Sequence, residues 1–231
     1  MKAPIPDNET QRLAALREYQ ILDTTAEQTY DDITALAAYL CNVPIAVISL
    51  VDKSRQWFKS KLGLNERETP RDVAFCAHAI LQSEPLIVRD ALKDSRFADS
   101  ALVTRAPYIR FYAGFPLASP EGFALGTLCA IDRKPRQLSA EQKQAMQSLS
   151  RQVMALLELR RVSTRLAEAL ENVKTLHGLL PICAWCKRIR DDQGYWSQVE
   201  AYVHAHTGAD FTHGICPDCF EKLRPKAPAA E

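Results

Sequence analysis

Four cysteines near the carboxy end are the residues whose type and spacing most directly imply chemistry. They form two CxxC pairs, Cys183-Ala-Trp-Cys186 and Cys216-Pro-Asp-Cys219, separated by twenty-nine residues. Two thiolates held in one tight turn converge on a single ion, and two such turns supply the four sulfurs of a tetrahedral zinc site. A closed sulfur shell leaves no position for a catalytic water, so the expected metal role is structural. A segment of about forty residues buries little core, and zinc contributes on the order of 10 kcal/mol to folds of that size. The competing reading is a dithiol redox switch, because CxxC pairs often carry lowered thiol pKa values. His213 lies three residues before Cys216, while His204 and His206 are accounted for by a helical pattern.

The elements that must position these thiols follow from the rest of the chain. Its 231 residues are 47% hydrophobic and 25% charged, the balance of an ordinary folded protein. Twenty-nine basic residues nearly cancel twenty-eight acidic ones, which argues against non-specific binding to nucleic acid or an anionic membrane. No apolar run reaches bilayer length and Met1 to Asn8 lacks the pattern of a secretion signal, so a cytoplasmic protein is expected. In that compartment cysteines are thiols or metal ligands more often than disulfides. Cys41, Cys76 and Cys129 lie far apart in apolar contexts and read as inert, buried small hydrophobes.

Helical spacing of Leu13, Leu16 and Tyr19, then of Tyr30, Ile33, Ala37 and Leu40, predicts two helices before Pro44. Ile45–Val51 and Gln56–Ser60 read as a hairpin, Leu86–Val88 as a short strand, and Ile109–Leu117 and Ala124–Ile131 as two further strands around Ser119-Pro-Glu-Gly122. From Ser139 the chain runs without Pro or Gly to His177, a long helix. Leu159, Val162, Leu166, Ala169, Val173, Leu176 and Leu180 alternate three and four apart along it. That is a coiled-coil seam, read as parallel dimerisation; an amphipathic helix packed on its own domain gives the same spacing. In the tail, Arg188–Arg190 and Gly194–Trp196 flank a turn, Val199–Thr207 is helical by pattern, and Trp185, Tyr195 and Trp196 are expected to fill a small core. Residues 225–231 read as a disordered end.

Four strings carry a resemblance. Pro44-Ile-Ala-Val-Ile-Ser-Leu-Val-Asp52, Phe75-Cys-Ala-His-Ala-Ile80, Arg110-Phe-Tyr-Ala-Gly114 and Leu125-Gly-Thr-Leu-Cys-Ala-Ile-Asp132 occur in the order found in bacterial GAF domains, modules of ligand binding and signalling. The resemblance implies an α+β fold: an antiparallel sheet of about six strands with flanking helices, and a pocket on one face closed by a short helix and loops. The order knuckle, hairpin, helix and terminal helix at Phe220–Leu223 similarly resembles a treble-clef zinc finger, and Leu180–Leu223 is similar to tails that follow sensor domains in bacterial signalling proteins.

Within the implied pocket, Phe75–Gln82 would be the covering helix, with Cys76 on one face and Phe75 and His78 on another. Trp57, Phe111 and Phe115 would supply aromatic walls, Arg71 and Arg110 would pair with a ligand carboxylate or phosphate, and Cys129 would lie in the adjoining strand. Each has a structural alternative; Arg110, for example, could pair with Asp90 or Asp132. Ala77 separates Cys76 from His78, unlike the Cys-His of bilin-binding members, and the Asn-Lys-Phe-Asp-Glu pattern of cyclic-nucleotide members is missing.

The organisation expected is therefore a GAF domain with its N-terminal helices (1–138), a connecting helix (139–178), a four-cysteine zinc module (179–224) and the disordered tail (225–231). The expected function is that of a non-catalytic regulatory module, sensing a small molecule or redox state and passing it to a protein partner, as a homodimer. A thiol-dependent reductase using Cys76 or Cys129, and a nucleic-acid-binding regulator using Lys187–Arg190, are the alternatives.

Overall fold

The computed structural model describes residues 2–177, 180–191 and 193–223, the side chains of 171–177 excepted. Two helices open it, α1 (Glu9–Glu18) and α2 (Gln28–Cys41). Tyr30, Ile33, Ala37 and Cys41 bury one face of α2, and the helix stops at Asn42, whose left-handed φ of 50° lets the chain turn back. A run of β-branched residues then forms β1 (Ile45–Val51), buried along its whole length as befits a central strand. There follow β2 (Arg55–Leu62), β3 (Glu68–Pro70), a 3-10 turn (Arg71–Val73), α3 (Phe75–Ala79), β4 (Leu86–Val88), α4 (Ala101–Thr104), β5 (Phe111–Ala118), β6 (Ala124–Asp132) and the long α5 (Ala140–His177).

All neighbours in the sheet are antiparallel, in the order β3-β2-β1-β6-β5-β4. Alternation along the strands sends side chains to two separate cores. On one face Ile48, Leu50, Trp57, Phe111, Phe115 and Leu128 pack with α1, α2 and Met146, Val153 and Leu157 of α5. On the other, Val47, Phe58, Tyr112, Cys129 and Ile131 meet Phe75 and Cys76 of α3 and Phe97 of the following loop. The β1–β2 register passes from Ile48–Ser60 to Ser49–Phe58, leaving Lys59 as an extra residue. This bulge turns the buried Lys59 ammonium toward Thr24 Oγ1 at 2.9 Å, the Thr25 carbonyl at 2.7 Å and Glu27 at 2.5 Å.

The chain divides into two compact units, Met1–Ala167 and Glu168–Glu231. The first unit thus takes in the start of α5, whose buried Met146, Val153 and Leu157 belong to its core. In the second, β7 (Ile189–Arg190) pairs with β8 (Trp196–Ser197), followed by α6 (Val199–Thr207) and α7 (Pro217–Leu223). Among the described residues of this unit only Ile189 is buried. Trp185, Tyr195 and Trp196, expected inside, are exposed, because no second layer lies over the short hairpin to cover them. Residues 225–231, expected to be disordered, lie outside the described residues, as do the side chains of Val173 and Leu176 in the seam. Among the described residues no helix is long and apolar enough to cross a membrane.

Candidate functional site

Beneath α3 lies a largely apolar cavity of about 100 Å³, lined by Val47, Gln56, Phe58, Thr69, Phe75, Cys76, Ile109 and Tyr112 among others. Strand alternation puts Gln56 and Phe58 on this face, and the β2–β3 register sets Thr69 directly beside Gln56. Both polar side chains are unsatisfied: Gln56 Oε1 and Thr69 Oγ1 are buried without a hydrogen-bond partner. An orphaned buried acceptor costs about 1–3 kcal/mol, so these two atoms on the cavity wall are the polar positions there that lack a protein partner among the described residues. Phe75 is fixed there by stacking on Phe97, with ring centroids 4.1 Å apart.

Cys76, in the cavity wall, also touches the sheet behind it. Its sulfur lies 3.5 Å from Cys129 Sγ, and the Tyr112 hydroxyl is 3.4 Å from both sulfurs. Thr127 Oγ1 lies 2.9 Å from Cys129 Sγ, and the buried Ser49 hydroxyl, without a partner at ordinary distance, faces the same group. Gly114 makes this possible: a Cβ there would stand 2.2 Å from the Tyr112 hydroxyl, so only glycine lets the ring lie across the sheet. Burial opposes ionisation of both thiols. At Cys76 the polar groups of Cys129, Ser49, Thr127 and Tyr112 outweigh burial and bring the thiol below its ordinary range. Burial, and then the neighbouring Cys76 sulfur, push Cys129 well above it. The expectation that these cysteines lie apart is thus corrected: fifty-three residues apart in sequence, they meet, and both are buried as expected.

Of the other expected ligand residues, Phe75 lines the cavity with Cys76. Trp57 and Phe111 face the opposite core, one residue out of phase with Phe58 and Tyr112. Arg71 is held by Glu9 and by the Asp52 carbonyl at 3.1 Å. Arg110 donates to the carbonyls of Val103 at 2.8 Å and Ile109 at 3.0 Å, and not to the carboxylates of Asp90 or Asp132. His78 meets the edge of Phe97, centroids 4.8 Å apart. Sequence reasoning missed Gln56, Thr69 and Tyr112. The first two become visible only once β3, three residues long, is paired with β2.

In the tail the thiols come together two by two. The Cys186 amide points at Cys183 Sγ at 3.5 Å, and Lys187, at φ 61°, closes the turn with its amide on the Cys183 carbonyl at 3.0 Å. Backbone amides lower the Cys183 and Cys216 thiols below their ordinary value. Among the described residues no group of three or more His, Cys, Asp or Glu comes together as a possible metal site.

An antiparallel six-stranded sheet with a cavity under a short helix on one face is the framework that these elements build. The GAF domain family matches residues 25–157, and the chain belongs to that family. Over 166 residues, 71% of the chain, it is 43% identical to a cyclic di-GMP phosphodiesterase of Pseudomonas aeruginosa, of whose length the match spans 28%. Its fold is that of the GAF domains of two phosphoenolpyruvate-protein phosphotransferases. The one from Coxiella burnetii has a TM-score of 0.52 at 14% identity, covering 69% of this chain and 99% of that one. The one from Acinetobacter has 0.50 at 16%, covering 67% and 98%. The phosphodiesterase overturns the expectation of a non-catalytic regulatory module that is no enzyme, since so similar a stretch lies within an enzyme.

Proposed function

We propose that the chain acts in cyclic di-GMP turnover, as the region that sets the rate of phosphodiesterase activity according to what fills its cavity. The observation that carries this reading is the 43% identity to part of a cyclic di-GMP phosphodiesterase. Cyclic di-GMP itself does not suit the cavity. It is far larger than about 100 Å³, and no Lys or Arg lines the wall to meet its phosphates. The guest that fits is a small, mostly apolar molecule bearing one hydrogen-bond donor for Gln56 and Thr69.

The test replaces the matching region of the Pseudomonas relative with residues 2–167 of this chain and follows cyclic di-GMP hydrolysis. Gln56→Met keeps the side-chain volume and removes the amide, and is expected to change the hydrolysis rate in cell extract by about fivefold or more. A rate indifferent to Gln56→Met, and to deletion of the whole region, overturns the regulatory reading.

Two further features belong to this reading. Leu159, Val162 and Leu166 of α5 are each more than half exposed, which supports pairing of this helix with that of a second copy. Among the described residues the tail has one buried apolar side chain, a core too small to stabilise it alone, which supports a zinc ion as crosslink. Cys183, Cys186, Cys216 and Cys219 would hold it, once the two pairs close on each other.

A further inference from the structure

The pair of cysteines behind the cavity has a chemistry of its own. Two sulfurs 3.5 Å apart need approach by only about 1.5 Å to reach bonding distance. They sit on different elements, α3 and β6, so a bond between them would tie the covering helix to the sheet. Cys76 is part of the cavity wall, whereas Cys129 lies behind it and is fully buried. Cys76 thus belongs to the wall that a small molecule in the cavity would meet, and Cys129, 3.5 Å from its sulfur, is placed to resolve what forms there.

We propose that Cys76 and Cys129 are a peroxide-oxidisable dithiol, in which a small hydroperoxide admitted by the cavity oxidises Cys76 and Cys129 then closes a disulfide. The cavity suits that oxidant: it holds only a few heavy atoms, its wall is mostly apolar, and the orphaned Gln56 Oε1 and Thr69 Oγ1 accept from an O–H. In the first step the Cys76 sulfur attacks the terminal peroxide oxygen and the O–O bond breaks. The alcohol, or water for hydrogen peroxide, departs with the thiol proton, leaving Cys76 as a sulfenic acid. In the second, the Cys129 sulfur attacks Cys76 Sγ, the S–O bond breaks, and hydroxide leaves as water with the Cys129 proton. Two thiols lose two electrons in all, and one peroxide is reduced.

Polar groups favour the reaction at Cys76. The Tyr112 hydroxyl at 3.4 Å and the Cys129 thiol at 3.5 Å stabilise negative charge on its sulfur, which its lowered pKa reflects. Cys41 provides an internal comparison, being equally buried, with its thiol pushed up to about 11 by burial. The inference uses the cavity as a route and does not rest on the regulation proposed above. A disulfide formed without change in phosphodiesterase activity would leave it standing.

The experiment treats the full native chain with graded hydrogen peroxide, blocks remaining thiols, and maps all seven cysteines by mass spectrometry without reduction. The exposed tail cysteines are read separately in the same map. Cys76 and Cys129 are expected to disappear together into one cross-linked peptide, at least about tenfold faster than Cys41 is modified, and to return on reduction. In Cys129→Ser, where folding is checked by circular dichroism, the sulfenic acid at Cys76 should persist and be trapped by dimedone. Loss of Cys76 and Cys129 no faster than Cys41, or disulfides confined to the tail, overturns the proposal whatever the variant does.

Discussion

At the scale of single residues, the position with the least tolerance is Gly114. The Tyr112 hydroxyl occupies the place where any other residue would carry its Cβ, and from there it reaches both sulfurs. Gly114→Ala is expected to force the ring away, at a cost of about 1–3 kcal/mol for overpacking in a closed core. Chemical denaturation measures that loss, and the tyrosine's near-ultraviolet signal should change with it. A stability within about 0.5 kcal/mol of the parent would show that the ring has another place to lie. The string Arg110-Phe-Tyr-Ala-Gly114 was legible as a family feature, but not the reason for its glycine. That reason is a clash between residues two apart on one strand, seen only when the ring's direction is known.

At the scale of elements, a buried ion group fastens α1 to the turn after β3. Glu9 accepts from Arg12 Nε at 2.9 Å, from Arg12 Nη2 at 2.9 Å and from Arg71 Nη2 at 3.2 Å, while Arg12 is only 1% exposed. Burial alone would raise the Glu9 carboxyl, but the two guanidiniums outweigh it and lower it from 4.5 to about 2. A carboxyl lowered in the folded state stabilises it above the unfolded value, and this is lost as pH falls from 4.5 toward 2. Glu9→Gln should therefore reduce stability at neutral pH by on the order of 1 kcal/mol, allowing for solvent at its open side. Melting curves of parent and variant should converge near pH 2; a constant gap across that range would assign the loss to packing instead. The period of the long strands and helices was readable in the sequence, whereas β3 and α4, three and four residues long, hold too few positions to show one. That limit explains why Arg71 read as a ligand group. Without β3 and the turn beside it, nothing in the order of residues brings Glu9 to it.

At the scale of the molecule, the exposed seam on α5 and the paired thiols make a joint expectation. Native mass spectrometry of the protein purified with zinc should find a dimer carrying one ion per chain. Leu159→Glu with Leu166→Glu should give a monomer that keeps its metal, and a parent that is already monomeric would assign the seam to another partner. The CxxC spacing announced the tail's thiols, but spacing along a chain does not determine whether two turns converge, and among the described residues no group of three or more possible ligands is assembled. Finally, β2 carries Gln56 and Phe58 on the cavity wall and, between them, Trp57 against the helices of the opposite core. Consecutive side chains there share a single backbone, so whatever lodges on one side and spreads the strand must also tilt an indole on the other. Under the proposed function, a guest that displaces β2 would therefore move Trp57 against helices that the guest itself does not touch.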